Sequence, residues 1–294
     1  MLAENSTIRC IDVRLIDKVQ DGRPILVVEF KPDDPNLLSY AEKVKPYVDA
    51  VRLTALKNAS DPNDPDKTAE QICFESAIHV VQKTGLDVVA SLICRDHARD
   101  DVATLHNLKR GGVDNLLALH GDSNDPPYPN RFEFKTTGEL IRWVRKQEPK
   151  ENAKGFCIAV GSDPTSIDLP KQISAMKEKI EAGADLTITQ PVFHSDQVLE
   201  SFRALEAVNE KLPALIGLLV PRSVKSMTFL EQRLGVRIPP TVKLRVAGKG
   251  LEEGFQIIRD VYRALWKSAA GFYIYPWADP SLDTVTSLLK ELRK

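Results

Sequence analysis

Short apolar runs alternate with longer amphipathic segments along almost the whole chain. Several of these runs are apolar at every position, which is typical of parallel strands that are buried on both faces. Eight strands are predicted, at Ile25–Phe30, Asp49–Leu53, Asp87–Ile93, Asp114–Leu119, Gly155–Val160, Asp185–Thr189, Ala214–Val220 and Gly271–Tyr275. Nine segments with helical spacing are predicted, at Pro35–Tyr47, Asp66–Thr84, Asp100–Arg110, Thr137–Gln147, Leu169–Ala182, Ser195–Val208, Ser223–Leu234, Leu251–Ser268 and Ser281–Leu292.

Eight strands with helices between them indicate an α/β protein built as a closed (β/α)8 or TIM barrel. The alternative is an open doubly wound sheet, which usually carries a glycine-rich turn after its first strand. In this chain Phe30-Lys31-Pro32 follows the first strand instead. We therefore expect one barrel domain over residues 1–294, preceded by a short polar N-terminal extension.

Composition and charge restrict the classes of partner. The chain has 294 residues and a net charge of −1, and its lysines and arginines are scattered. Nucleic-acid binding needs a basic stripe, and a membrane span needs roughly 20 apolar residues, so neither partner is expected. Met1–Arg9 lacks the order of a signal peptide, and the four cysteines lie far apart without a metal-binding spacing. These features predict a cytoplasmic protein without a metal site.

Three apolar runs end at polar residues, which a barrel would place around one cavity at the carboxyl ends of its strands. The first is Glu29, between the apolar residues Val28 and Phe30. Burial suits such a carboxyl to act as a general acid near neutral pH. The alternative is an ion pair with a lysine or arginine of a neighbouring strand.

The other two strand ends supply Asp122 and Gln190. Asp122 follows Gly121, whose missing side chain lets the backbone approach a ligand; the alternative is a helix cap or turn residue. Gln190 precedes Pro191, which keeps it extended and is expected to end the strand there. A carboxamide at this place suits a heterocycle such as a pterin or nicotinamide, and the alternative is an ordinary strand-end hydrogen bond.

Five motifs then carry a resemblance to a known family. They are Val27-Val28-Glu29-Phe30-Lys31-Pro32, Leu92-Ile93-Cys94-Arg95-Asp96, Leu117-Ala118-Leu119-His120-Gly121-Asp122, Ala182-Gly183-Ala184-Asp185 leading to Thr189-Gln190-Pro191-Val192-Phe193, and Gly271-Phe272-Tyr273-Ile274-Tyr275. Together, and in this order, they resemble the methylenetetrahydrofolate reductase family over nearly the whole chain. The resemblance implies a (β/α)8 barrel that reduces 5,10-methylenetetrahydrofolate to 5-methyltetrahydrofolate, or runs the reverse reaction, with FAD and NADH or NADPH.

The resemblance also implies roles for residues of this chain. Glu29 would be the general acid that helps to open the bridging ring of the folate and produce an iminium. Asp122 would stabilise positive charge beside the pterin and flavin, and Gln190 would hydrogen-bond the pterin or the nicotinamide. Phe193 and Tyr275 would contact substrate as well. The positions expected to bind cofactor are Thr54, His120, Gly121 and Lys179.

Departures from the family pattern concentrate on the flavin. The family usually has arginine at His120 and histidine at Ser91, and its loop after the fifth strand is replaced by Val160-Gly161-Ser162-Asp163-Pro164. On the next helix, family contacts to FAD correspond here to Gln172, Ala175 and Glu178, where the family has aspartate, asparagine and arginine. A carboxylate in place of an arginine repels a diphosphate, so weakened or lost FAD binding is predicted.

Three functions remain open from the sequence. One is a reductase that treats flavin unusually or passes hydride directly from NAD(P)H. Another is a pterin-binding, redox-silent folate subunit or methyl-transfer protein. The third is a reductase that receives its electrons from a partner subunit. Assembly as a homo-oligomer is also possible.

Overall fold

The computed structural model describes residues 14–20, 22–55, 67–121, 134–148, 154–275 and 282–293. Eight parallel strands close into one barrel in the order of the chain, β1 to β8, with β8 paired to β1. The strands are β1 Ile25–Phe30, β2 Ala50–Leu53, β3 Asp87–Ile93, β4 Asn115–Leu119, β5 Cys157–Ser162, β6 Leu186–Pro191, β7 Ala214–Leu219 and β8 Gly271–Tyr275. The predicted (β/α)8 barrel is confirmed.

Helices follow the strands around the outside of the barrel. They are α1 Leu15–Gln20, α2 Leu37–Val44, α3 Ala69–Thr84, α4 Val102–Arg110, α5 Thr137–Gln147, α6 Leu169–Glu181, α7 Ser195–Glu206, α8 Val224–Leu234, α9 Pro240–Leu265 and α10 Leu282–Leu292. Among the helices that the structure describes, none is long and apolar enough to cross a membrane.

Most predicted boundaries differ from the observed ones by a few residues. Strand β5 begins two residues later and continues to Ser162, and β6 continues through Gln190 to Pro191. A kink at Gly250, whose φ of 61° and ψ of −139° are not helical, divides α9 into two helices. The predicted helix from Leu251 is the second of them, and the helix from Pro240 to the kink was not predicted. The six-residue helix α1 was not predicted at all.

Side chains alternate between the inside of the barrel and the layer under the helices. Those pointing inward form one apolar cluster, which includes Val27, Ala50, Val89 and Leu117. Those pointing outward, such as Val28 and Leu53, join the larger core between strands and helices. Since side chains alternate along a strand, the inward row of β1 continues from Val27 to Glu29 and brings this carboxylate into the barrel.

Candidate active site

A buried polar cluster lies inside the barrel at the carboxyl ends of β1, β2 and β8. Glu29 is only 4% exposed. Its Oε2 accepts hydrogen bonds from Arg52 Nη1 and from the Tyr273 hydroxyl. Arg52 Nη1 also donates to the Tyr273 hydroxyl oxygen at 2.8 Å. The three groups form a closed triangle of a carboxylate, a guanidinium and a phenol.

Strand register explains why these groups meet. Glu29 pairs with Arg52 across β1 and β2, and Val27 pairs with Tyr273 across β1 and β8. On the far side, Arg52 Nη2 donates to Ser91 Oγ at 3.3 Å. Neighbouring strands thus supply all the partners, and each side chain is fixed by a rigid part of the barrel.

The charges of the cluster depend on one another. Burial disfavours the charged guanidinium of Arg52, but the neighbouring Tyr273 and Glu29 outweigh burial and raise the pKa of Arg52 above its ordinary value. Burial, together with the negative charge of Glu29, raises the pKa of the Tyr273 hydroxyl well above its ordinary value, although Arg52 opposes the rise. Tyr273 therefore keeps its proton at neutral pH and donates it in a hydrogen bond to Glu29.

The alternative predicted for Glu29, an ion pair with a residue of the neighbouring strand, is confirmed. Sequence reasoning did not single out Arg52 or Tyr273. The alternation of side chains along a strand offered a signal for both. Arg52 and Thr54 are two residues apart and face the same side of their strand, in an otherwise apolar run, and Tyr273 and Tyr275 share a side in the same way. Both residues lie within their strands, close to but before the last residue of each.

Gln190 lies at a β-bulge. The pairing of β6 with β7 shifts register between Ile188 and Pro191. The Thr189 hydroxyl accepts from the backbone N–H of Gly217 at 2.8 Å and donates to the carbonyl of Gln190 at 2.8 Å. A bulge next to a site re-aims a side chain, and within the described part of the chain nothing hydrogen-bonds the Gln190 carboxamide. The strand was predicted to span Asp185–Thr189 and to stop at the proline; it does end at Pro191, and the bulge carries the pairing through Gln190 to that residue.

Tyr275 supports this bulge from β8. Its hydroxyl donates to the carbonyl of Thr189 at 3.0 Å, and burial raises its pKa above the ordinary tyrosine value. A Cβ on Gly217 would stand 2.6 Å from the Thr189 carbonyl and 2.8 Å from the Tyr275 ring. Glycine is therefore required at residue 217 for Tyr275 to reach β6.

Two further predicted residues lie in different surroundings. Phe193 is 2% exposed and packs in an apolar cluster with Leu219 and Met227, which also touches Tyr275. Thr54 follows β2, and its hydroxyl oxygen is buried without a hydrogen-bond partner. Phe193 is thus embedded in the wall of the barrel, whereas Thr54 presents an unsatisfied polar atom.

The end of β4 supplies His120 and Gly121. The His120 ring is exposed and lies 3.2 Å from the carbonyl oxygen of Lys135. Gly121 has a φ of +91°, which favours glycine. Asp122, predicted as a catalytic and substrate-binding residue, lies outside the described residues.

The face of α6 predicted to meet a flavin is occupied by internal contacts. Lys179 donates to the carbonyl of Gly161 at 2.8 Å, and burial lowers the pKa of its ammonium group. Glu178 accepts from the Thr136 hydroxyl at 2.8 Å. Its carboxylate also lies against Gly138 in the first turn of α5, where a Cβ would stand 2.5 Å from Glu178 Oε1. A carboxylate at this helix N-terminus is favourable.

One more basic residue belongs to the mouth of the barrel. Arg95 lies in the turn that follows β3, and it is 6% exposed. Its Nη1 atom has no hydrogen-bond partner. Among the described residues, no group of three or more histidine, cysteine, aspartate or glutamate side chains could hold a metal ion.

Comparison with known proteins identifies the family. A family model described as methylenetetrahydrofolate reductase matches residues 33–254, from the segment after β1 into α9. Methylenetetrahydrofolate reductase 1 of Schizosaccharomyces pombe is 25% identical over 61% of this chain and 31% of its own length. A probable methylenetetrahydrofolate reductase (NADPH) of Caenorhabditis elegans is 24% identical over 74% of this chain and 34% of its own length.

A bacterial relative and a solved structure extend the comparison. The 5,10-methylenetetrahydrofolate reductase of Salmonella typhimurium is 25% identical over 58% of this chain and 56% of its own length. This chain thus spans from about a third to about half of these relatives. A Clostridium thermocellum protein described as binding two copies of 5-methyl-5,6,7,8-tetrahydrofolic acid superposes with a TM-score of 0.67 at 14% identity, covering 95% of this chain and 99% of its own. That likeness shows the fold, whereas the family model matches more than half of the residues, and the chain belongs to the methylenetetrahydrofolate reductase family.

Proposed function

We propose that this protein reduces 5,10-methylenetetrahydrofolate to 5-methyltetrahydrofolate, or runs the reverse reaction, with NADH or NADPH in the cytoplasm. The observation that carries the proposal is the buried Glu29–Arg52–Tyr273 cluster at the barrel mouth. Family membership supplies the substrate class, and the names of relatives from C. elegans and rice specify NADPH and NADH, respectively. The C. thermocellum barrel described as binding 5-methyltetrahydrofolate adds support for a folate ligand.

The reaction consumes one hydride and one proton. The hydride reduces the bridging methylene carbon to a methyl group, and the proton ends on the ring nitrogen that releases this carbon. We assign delivery of this proton to Glu29: its carboxylate, bonded to the Tyr273 hydroxyl, takes up one proton from solvent before the reaction and passes it to this nitrogen. Arg52 holds both groups in place. Gln190, re-aimed by the bulge in β6, would hydrogen-bond the pterin, and Asp122 would stabilise the iminium.

The described residues do not fit the diphosphate of FAD at α6. Lys179 is the cation that the resemblance assigns to this cofactor, but its ammonium group is already bonded to a backbone carbonyl. Glu178 adds a negative charge on the same helix, held by Thr136. An anion placed here would meet repulsion from a fixed carboxylate. We therefore propose that FAD binding is weakened or lost and that NAD(P)H passes its hydride directly to the folate.

A single assay tests this function. We expect the purified chain to oxidise NADH or NADPH only when 5,10-methylenetetrahydrofolate is present, at a rate that added FAD does not change. Flavin absorption in the visible spectrum of the pure protein would contradict direct transfer. Binding of 5-methyltetrahydrofolate without any NAD(P)H oxidation would favour the redox-silent folate subunit. Activity that appears only after a cell extract is added would favour an electron-donating partner.

The replaced positions on α6 yield a separate prediction. The double variant Ala175→Asn with Glu178→Arg should bind FAD more tightly than the wild type, because it removes a negative charge and restores a cation. The measurement is a fluorescence titration with FAD. Glu181→Arg, a charge change of the same sign at the last residue of α6, is the control and should leave FAD affinity nearly unchanged. An equal gain in both variants would point to a non-specific charge effect.

A further inference from the structure

An arginine follows the end of β3. Ser91 and Ile93 point into the barrel, and Arg95 lies in the turn directly after Ile93, where the backbone N–H groups of Asp96 and His97 donate to the Ile93 carbonyl. The Arg95 side chain lies beside Gly121, in the strand-end motif of β4 that leads to Asp122. This places a cation at the mouth of the barrel, where ligands bind in this fold.

The end of β4 is shaped around the Arg95 stem. A Cβ on Gly121 would stand 2.8 Å from Arg95 Cδ and 3.1 Å from Ile93 Cγ2. The positive φ of Gly121 disfavours a side chain for a second, independent reason. Arg95 is consequently packed into the wall of the site.

Within the residues that the structure describes, the guanidinium of Arg95 has no partner to match its burial. Its Nη1 atom is buried without a hydrogen bond, and no carboxylate of the described residues forms an ion pair with Arg95. Arg52, the other arginine buried in the barrel, has Glu29, Tyr273 and Ser91 as partners.

A buried charge without a partner destabilises the fold. A protein keeps such a charge where a bound ligand supplies the missing partner. A guanidinium without a carboxylate partner is suited to bind an oxyanion.

We propose that Arg95 anchors an oxyanion of a bound ligand at the end of β3, beside Gly121. The inference rests on the proposed function, whose two ligands both carry such groups: the phosphates of the nicotinamide dinucleotide and the carboxylates of the folate glutamate. The planar fork of arginine binds both kinds of group through two parallel hydrogen bonds. The remaining exposure of Arg95, 6%, is the edge that the anion would cover.

Calorimetric titration of ligand pairs that differ in the anion tests the proposal. The pairs are NADPH or NADH against dihydronicotinamide riboside, which lacks phosphate, and 5-methyltetrahydrofolate against 5-methyltetrahydropterin, which lacks glutamate. Inorganic pyrophosphate serves as a probe that needs neither ring. The variants are Arg95→Met and Arg95→Lys. Arg99→Met is the matched control, because Arg99 lies on the same connection but is exposed and paired with Glu139.

In Arg95→Met we expect affinity for one anionic ligand to fall at least about tenfold, while affinity for its uncharged counterpart stays unchanged. Arg95→Lys should lose less, because it keeps the charge without the fork, and Arg99→Met should lose nothing. The pair that responds identifies the source of the anion. The melting temperature of ligand-free Arg95→Met should not fall, because an unpaired buried charge has been removed.

Three results would overturn the proposal. One is wild-type affinity of Arg95→Met for every probe, and another is an equal loss for the charged and uncharged members of a pair. The third is destabilisation of both Arg95 variants without ligand, which would indicate a structural role. If the wild type binds neither folate nor dinucleotide, the proposed function fails on its own. In that case the affinities of wild type and Arg95→Met for pyrophosphate are compared. Equal affinities would overturn the proposed role of Arg95.

Discussion

Glu29→Gln is expected to lower kcat for folate reduction by about 10²–10⁴-fold, the usual contribution of a general acid. Glutamine has the shape of glutamate, and its amide oxygen can still accept hydrogen bonds from Arg52 and Tyr273. It can neither receive nor deliver the proton that the folate nitrogen needs. Binding of 5-methyltetrahydrofolate should therefore remain nearly unchanged. Steady-state kinetics and a direct folate titration measure the two quantities.

Asp49→Asn is the matched control for this prediction. Asp49 is also a buried carboxylate beside a strand, and it is paired with Arg23 and Arg293. It directly precedes β2, at the amino-terminal face of the barrel, where residues serve stability rather than catalysis. We expect this variant to lose stability and to keep the kcat of its folded fraction. Near-normal turnover in Glu29→Gln, or an equal loss in both variants, would remove Glu29 from the role of acid.

The architecture and one member of the central cluster could be predicted from sequence. Parallel strands buried on both faces are apolar at consecutive positions, so a polar residue such as Glu29 near a strand end is conspicuous. Arg52 is less conspicuous, because the role of its guanidinium depends on a partner 23 residues away in the chain. The register between β1 and β2 makes that contact, and register is a property of the closed barrel rather than of local sequence.

The bulge at Gln190 was missed for a related reason. Proline lacks a backbone N–H, so Pro191 indicates the end of a strand when the strand is considered alone. In the barrel, the Thr189 hydroxyl accepts the N–H of Gly217, and β6 continues past the shift in register. The Thr189 hydroxyl takes the place of a backbone acceptor for a neighbouring strand. The sequence around Thr189 does not indicate such a contact.

The boundary predicted at Leu251 is confirmed, but the helix before it was missed. Gly250 has a non-helical backbone and divides α9, so a helix does begin at Leu251. The residues before this boundary, from Pro240, are helical as well, and Val242 and Val246 pack under α8 in the apolar cluster that contains Phe193. Tertiary burial of these side chains supports the first helix.

Arg52→Met should destabilise the fold by about 3–5 kcal/mol, the usual cost of removing one partner from a buried ion pair. The variant leaves the Glu29 carboxylate inside the barrel without this guanidinium, and Ser91 and Tyr273 lose a donor. Urea denaturation gives the free energy of unfolding. Arg99→Met, which breaks an exposed pair with Glu139, should cost only about 0–1 kcal/mol.

A double-mutant cycle then separates the ion pair from simple loss of side-chain packing. When Glu29→Gln is added to Arg52→Met, the buried negative charge is gone, so the double variant should regain part of the lost stability. The two changes are in direct contact and should not be additive. Additive losses would mean that Glu29 and Arg52 contribute independently. A loss in Arg52→Met no greater than that in Arg99→Met would mean that the barrel tolerates Glu29 without its cation, and that Arg52 does not hold the proposed acid in place.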